Sequence, residues 1–197
     1  MSSENQNSRS KILKTTCQLL EAGDGNKVRM SDIAKASGIS RQAVYLHFPS
    51  RSELLIAAAR YIDETENIDL RLAKSRNSER GVDRLEAFIE AWANYIPSVY
   101  GVAKALMVMK EHDVEAKAAW DDRMRALRHG CQAAVNGLAK DRMLQSGMTK
   151  KEAVDLLMVV ISIRNWEELT KEYGWSQKRY MSFIQRIARK AITEPSP

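Results

Sequence analysis

Strand-like alternation is missing from this chain, and residues that interrupt helices are few. Its 197 residues hold four prolines and nine glycines, and no stretch alternates at period two. An all-α fold is the reading this leaves. No apolar run approaches the length of a membrane span; the longest nearly uninterrupted one is Leu156 to Ile163. The opening residues are polar and lack the apolar core of a signal peptide, so residues 1–9 are expected to form a disordered leader and the protein to stay cytoplasmic. Cysteine is nearly absent. Cys17 and Cys131 lie far apart in helix-like sequence, which argues against a disulfide framework or a CxxC centre and makes both small core residues. The three histidines form no zinc or catalytic pattern, because His129 and Cys131 point to different helix faces. No P-loop, GxGxxG, GxSxG or convergent carboxylate pair occurs, so neither an enzyme, a cofactor nor a metal site is expected.

What is present is an ordinary globular composition, 44% hydrophobic and 28% charged, with a net charge of +6. The charge is uneven. Residues 1–51 hold eight Lys and Arg against four Asp and Glu; the remainder holds 23 against 21. A basic first quarter is a hint of a polyanionic partner, and a plain solvated surface explains it as well.

Apolar spacing of three and four marks the helices. Ile12, Leu13, Thr16, Cys17, Leu19 and Leu20 give a first helix over Ser10–Glu21, ended by Gly23 and Gly25. Two short helices follow within Met30–Phe48, and Ser50 to Glu53 is a capping box that starts a fourth helix at Arg51. Asp69–Gly81 is charged and aperiodic, the end of that helix and a loop. A fifth helix from Val82 is expected to stop near Pro97, and a short sixth to cover Val102–Lys110. Trp120, Met124, Leu127, Cys131, Ala134 and Leu138 form the stripe of a long seventh. The Thr149–Glu152 capping box opens an eighth that should run to Gly174, and Ser176 caps a ninth.

The sharpest signal lies in residues 31–48, SDIAKASGISRQAVYLHF, where Ala34, Gly38 and Val44 sit four and then six apart. Two short helices crossing steeply need a small residue on the first, a glycine in the turn, and a branched apolar residue packing back from the second. Ile33, Ile39 and Phe48 complete that small core. Ser40 can cap the second helix, whose free amides favour a nearby phosphate. On that helix Val44 and Phe48 face inward, while Gln42, Ala43 and Leu46 face out, flanked by Tyr45 and His47. Gln suits adenine, Arg41 suits guanine, Ala and Leu suit a thymine methyl, and Arg29 and Arg51 are candidate phosphate anchors.

With the first helix ending in glycine, then Asp32-Ile33-Ala34, Gly38-Ile39-Ser40, Val44 to Phe48 and Ser50 to Leu55, residues 10–60 resemble the TetR family of transcriptional regulators. One departure is Arg29-Met30, where the family commonly has a capping threonine. The resemblance implies an all-α homodimer with a helix-turn-helix DNA-binding domain over residues 10–50 and an effector-binding and dimerisation domain over 51–197. It implies double-stranded DNA with a pseudo-palindromic operator as partner, with Arg41, Gln42, Ala43, Tyr45 and His47 on the recognition helix. It also implies a cavity among the fourth to seventh helices, for which Trp92, Tyr95, Tyr100, Met107, Trp120 and Met124 are candidates for an unknown small-molecule effector. The same residues at helical spacing make an ordinary core, and the sequence leaves both readings open.

The eighth helix is apolar almost all round, so it should be buried on two sides, within a fully internal position or against its copy in a partner. Leu156, Val160, Ile163, Phe183 and Ile187 are the candidate two-fold interface. The expected function is a repressor released from its operator by the effector; the alternative is an effector-independent helical protein that binds DNA or a partner.

Overall fold

The computed structural model describes residues 3–23 and 28–194, and every named element among them is helical. The elements are α1 (Ser3–Ala22), α2 (Met30–Ser37), α3 (Arg41–His47), α4 (Arg51–Thr65), α5 (Ile68–Arg76), α6 (Gly81–Met109), α7 (Val114–Lys140), α8 (Lys150–Val160), α9 (Ile163–Glu167) and α10 (Gln177–Ile192), with a π-helical turn over Glu168–Glu172. Two compact units share them. One comprises Met1–Glu66 and Ser98–Met124, the other Asn67–Pro97 and Arg125–Pro197.

In the first unit, Ile12, Leu13 and Leu20 of α1, Ile33 of α2, Val44 of α3 and Leu54, Leu55 and Ala58 of α4 form a core with almost no exposure. Helix α1 starts at Ser3, not at Ser10, so most of the expected disordered leader is helical. Adding polar residues to an existing helix costs far less than nucleating one, which is why an exposed segment without apolar periodicity can still be helical. Gly25, expected to help end this helix, lies outside the described residues. The Cys17 thiol donates to Ala58 O at 3.3 Å, and burial pushes both it and Cys131 up to about 12, so neither is a reactive thiolate.

Helices α4 and α7 are tied by charge. Asp122 accepts from Arg60 at 2.5 and 3.1 Å and from Arg123 at 2.6 Å, and Arg123 also reaches Asp63. The Arg60 hydrogen bonds, with Arg123 behind them, outweigh burial and lower the Asp122 carboxyl from 3.8 to about 2. A depressed carboxylate contributes stability above its unfolded pKa and loses it as pH falls through the folded one. Wild type should therefore lose more melting temperature than Asp122→Asn between about pH 5 and about pH 2, read by circular dichroism. Parallel curves for the two proteins would remove this network from the account.

The second unit holds three departures from the expected helices. Pro97 does not end a helix; it sits inside α6. Proline lacks the N–H that would bond the carbonyl four residues back. Here that carbonyl, Ala93 O, accepts from Gln177 Nε2 at 2.6 Å, and Gln177 Oε1 in turn accepts from Trp166 Nε1 at 2.8 Å. The chain also breaks where one helix to Gly174 was expected: α8 ends at Val160, and Ser162 Oγ accepts from Asn165 N at 3.3 Å to cap α9. Its free end is secured from outside, because Trp92 Nε1 donates to Ile161 O at 2.7 Å. The stretch expected as a loop holds α5, which starts after Asn67 in the left-handed region at φ 50°. Helices α6 and α7 approach so closely that a Cβ built at Gly81 would stand 2.5 Å from Gly137 O.

Candidate nucleic-acid interface

The turn between α2 and α3 is built as its spacing demands. Gly38 takes φ 64°, its N–H donates to Lys35 O at 3.2 Å, and Ile39 N donates to Ala34 O at 3.1 Å. Ala34, Ile33, Val44 and Phe48 are buried beneath it. Ser40 Oγ accepts from Ala43 N at 3.2 Å and so caps α3. At the start of α2 the missing threonine has a partial substitute. Asp32 accepts from Arg29 N at 3.0 Å, while Arg29, having no side-chain acceptor, takes Asp32 N only through its backbone carbonyl, at 3.0 Å.

With Val44 fully buried, α3 turns the rest of its surface outward. Arg41 and Gln42 are exposed, Ala43 and His47 half-buried, Tyr45 is 39% exposed and Leu46 81%. A leucine this bare on a short, capped helix has no packing role in the chain itself. The Arg41 guanidinium lies 5.7 Å from the Tyr45 ring centre, which restrains it without consuming its in-plane donors. These side chains form one continuous donor, acceptor and apolar face on a helix of a size that enters a major groove.

Arg51 does not belong to that face, and its expected role as a phosphate anchor is corrected. Only 7% of it is exposed. Its Nε donates to Val28 O at 2.5 Å, and its Nη1 sits 2.9 Å from Asp113 and 3.0 Å from Glu115. Buried and paired with two carboxylates, it joins the start of α4 to the start of α7, where Asp113 also accepts from Ala116 N at 3.2 Å. Burial raises the Asp113 carboxyl, but the Ala116 N–H and the Arg51 charge outweigh it and leave it below its ordinary value. No motif marks Asp113 or Glu115 as partners of Arg51 in sequence, since 62 and 64 residues separate them.

The candidate effector residues divide between the units: Trp92 and Tyr95 fall in the second, Tyr100, Met107, Trp120 and Met124 in the first. Trp92 and Tyr95 have ring centres 6.0 Å apart, and Trp92 spends its only donor on Ile161 O. A surface groove of about 480 Å³ in the second unit is lined by residues such as Arg128, His129, Gln132, Lys150 and Lys151 and by none of these candidates. Of the candidate dimer residues, Ile163 is only 5% exposed and packs within its own chain, whereas Leu156, Val160, Phe183 and Ile187 are half-buried.

A family model described as bacterial regulatory proteins, tetR family, matches residues 12–58, the stretch that holds this interface. The nucleoid occlusion factor SlmA of Idiomarina loihiensis is 24% identical over 115 residues, 57% of this chain and 59% of that protein. SlmA of Edwardsiella ictaluri is 25% identical over 145 residues, 72% of this chain and 71% of that one. In fold, the chain is similar to NalD, the secondary repressor of the MexAB-OprM multidrug efflux pump in Pseudomonas aeruginosa. The TM-score is 0.69 at 18% identity, covering 99% of this chain and 100% of that chain.

Proposed function

We propose, for a chain whose residues 12–58 match the tetR family of bacterial regulatory proteins, a sequence-specific DNA-binding regulator that works as a homodimer. The observation that carries this reading is the outward face of α3: Arg41, Gln42 and Leu46 stand exposed on a helix whose opposite side, Val44, is fully buried. Arg41→Ala and Gln42→Ala should each cost about 1–3 kcal/mol at the preferred site and relax base preference there, with much smaller losses on random duplex. Fluorescence anisotropy on both duplexes reads this, and equal losses on every sequence would refute base reading by α3.

The finer reading is a repressor released by a small molecule bound in the helical body beyond α4. Arg51 supports a route for it, because the guanidinium that starts α4, directly after the reading helix, is held by Asp113 and Glu115 at the start of α7. A ligand counts as an effector only if it binds the DNA-competent and DNA-released states with different affinity, by about 1–3 kcal/mol for ordinary couplings.

A second reading keeps DNA binding and replaces the effector by a protein partner. It is favoured by the similarity to nucleoid occlusion factors and by Trp92, whose indole N–H is already bonded to Ile161 O within the chain. Thermal-shift screening with cationic, aromatic and lipidic compounds separates the two, since a ligand that binds the folded state must raise the melting temperature. Stabilisation together with loss of DNA affinity supports the effector; no stabilisation by any class supports the partner.

A further inference from the structure

We propose that the N-terminal half of α1 is part of the DNA interface, with Arg9 and Lys11 taking backbone phosphates at the two ends of the recognition helix. This rests on the DNA-binding reading above and adds residues to it that neither the motif nor the family match over 12–58 contains. The Arg9 guanidinium carbon lies 5.1 Å from the ring centre of Phe48, the residue that closes α3. Lys11 reaches the other end: a Cβ built at Gly38, in the turn that precedes α3, would stand 3.8 Å from its Nζ. Ile12 and Leu13, both buried, fix this part of α1 against the domain, so the two cations are carried on a firm base.

Charge pairing separates these cations from those of α4 and of residues 110–124. Arg51, Arg60, Lys110, Lys117 and Arg123 each sit within 3.2 Å of a carboxylate. Among the described residues, Arg9 and Lys11 have no such partner, and both lie beside α3. A cation left without a carboxylate next to a DNA-reading helix is available to release counterions from a polyanion. Arg9 is suited to this because stacking on Phe48 occupies the face of its guanidinium and leaves the in-plane donors for a phosphate fork. Dimensions agree. Seven residues of α3 span roughly 10 Å, and the major groove is about 12 Å wide, so both ends of α3 lie near phosphate-lined rims. Register on the duplex needs such contacts, and Arg51 cannot supply one because it is buried and paired.

The test measures binding of the full chain to its selected duplex and to a scrambled duplex across a series of salt concentrations. Arg9→Gln and Lys11→Gln should weaken both duplexes by similar factors, and each should lower the slope of log affinity against log salt by about 0.9, the double variant by about twice that. Arg9→Lys keeps the charge and should keep most of the slope, which separates a phosphate contact from a packing role on Phe48. Lys178→Gln, an exposed residue of α10, should leave the slope unchanged. A wild-type slope in the double variant, or a loss confined to the selected duplex, would overturn the proposal while the DNA-binding reading stands. A wild-type chain that binds neither duplex overturns both.

Discussion

Arg51→Ala should lower folding stability by about 3–5 kcal/mol, because it removes the guanidinium paired with the buried Asp113 carboxylate and leaves that charge uncompensated. Asp113 is 8% exposed on its side chain and faces this guanidinium at 2.9 Å, while Val28 O loses its donor as well. For a chain of this size such a loss lowers the melting temperature by roughly 10 °C. Arg51→Lys should recover only part of it, since one compact ammonium cannot reach Val28 O, Asp113 and Glu115 in the fork geometry that arginine uses. Joint replacement of all three charges by apolar residues should be milder than Arg51→Ala, because it leaves no buried charge uncompensated. An unchanged melting temperature together with a uniform loss of DNA affinity would return Arg51 to the surface as a phosphate anchor.

Val159→Glu should convert the proposed dimer to monomers. On α8, Ala153, Val154 and Leu157 are buried within the chain, and Leu156 and Val160 are half-buried, while Val159 is 64% exposed. An apolar helix side left open in this way suits an isologous contact in which the same patch meets itself across a two-fold axis. A glutamate there would put like charges into the seam of both protomers at a cost of about 3–5 kcal/mol, or roughly 10²- to 10³-fold and more in dimer dissociation. Because Val159 makes little use of its own chain's core, the helical content of the monomer should stay intact. Sedimentation at micromolar concentration reads the assembly, and operator affinity should fall with it, since one protomer reads one half-site. A variant that remains dimeric would put the interface elsewhere.

The reading helix was legible because its determinants are local. Gly38 must reach positive φ within a turn flanked by Ala34 and Val44, and each of these requirements shows as a residue type at a fixed spacing. Pro97 was misread for the opposite reason. Whether a proline ends a helix depends on what becomes of the carbonyl four residues back, and here Gln177, 84 residues away, takes it. The end of α8 at Val160 was hidden in the same way, because the apolar run continues while the carbonyl of Ile161 is secured by Trp92, 69 residues distant. Arg51 looked like a surface cation because a charged residue after a capping serine normally is one; its burial follows from two carboxylates on α7 that no local pattern announces. Local rules therefore marked the outward-facing residues of α3 and missed the long-range partners that hold the domain behind them.

Selection of bound duplexes from a random pool, repeated with wild type and with Gln42→Ala, tests the central claim most directly. The account predicts enrichment of a pseudo-palindromic sequence whose half-sites lie a whole number of helical turns apart, about 10 base pairs or a multiple, with base preference relaxed symmetrically in both halves by Gln42→Ala. A pool that returns no enriched sequence, or one whose preferred bases are untouched by the substitution, would contradict it.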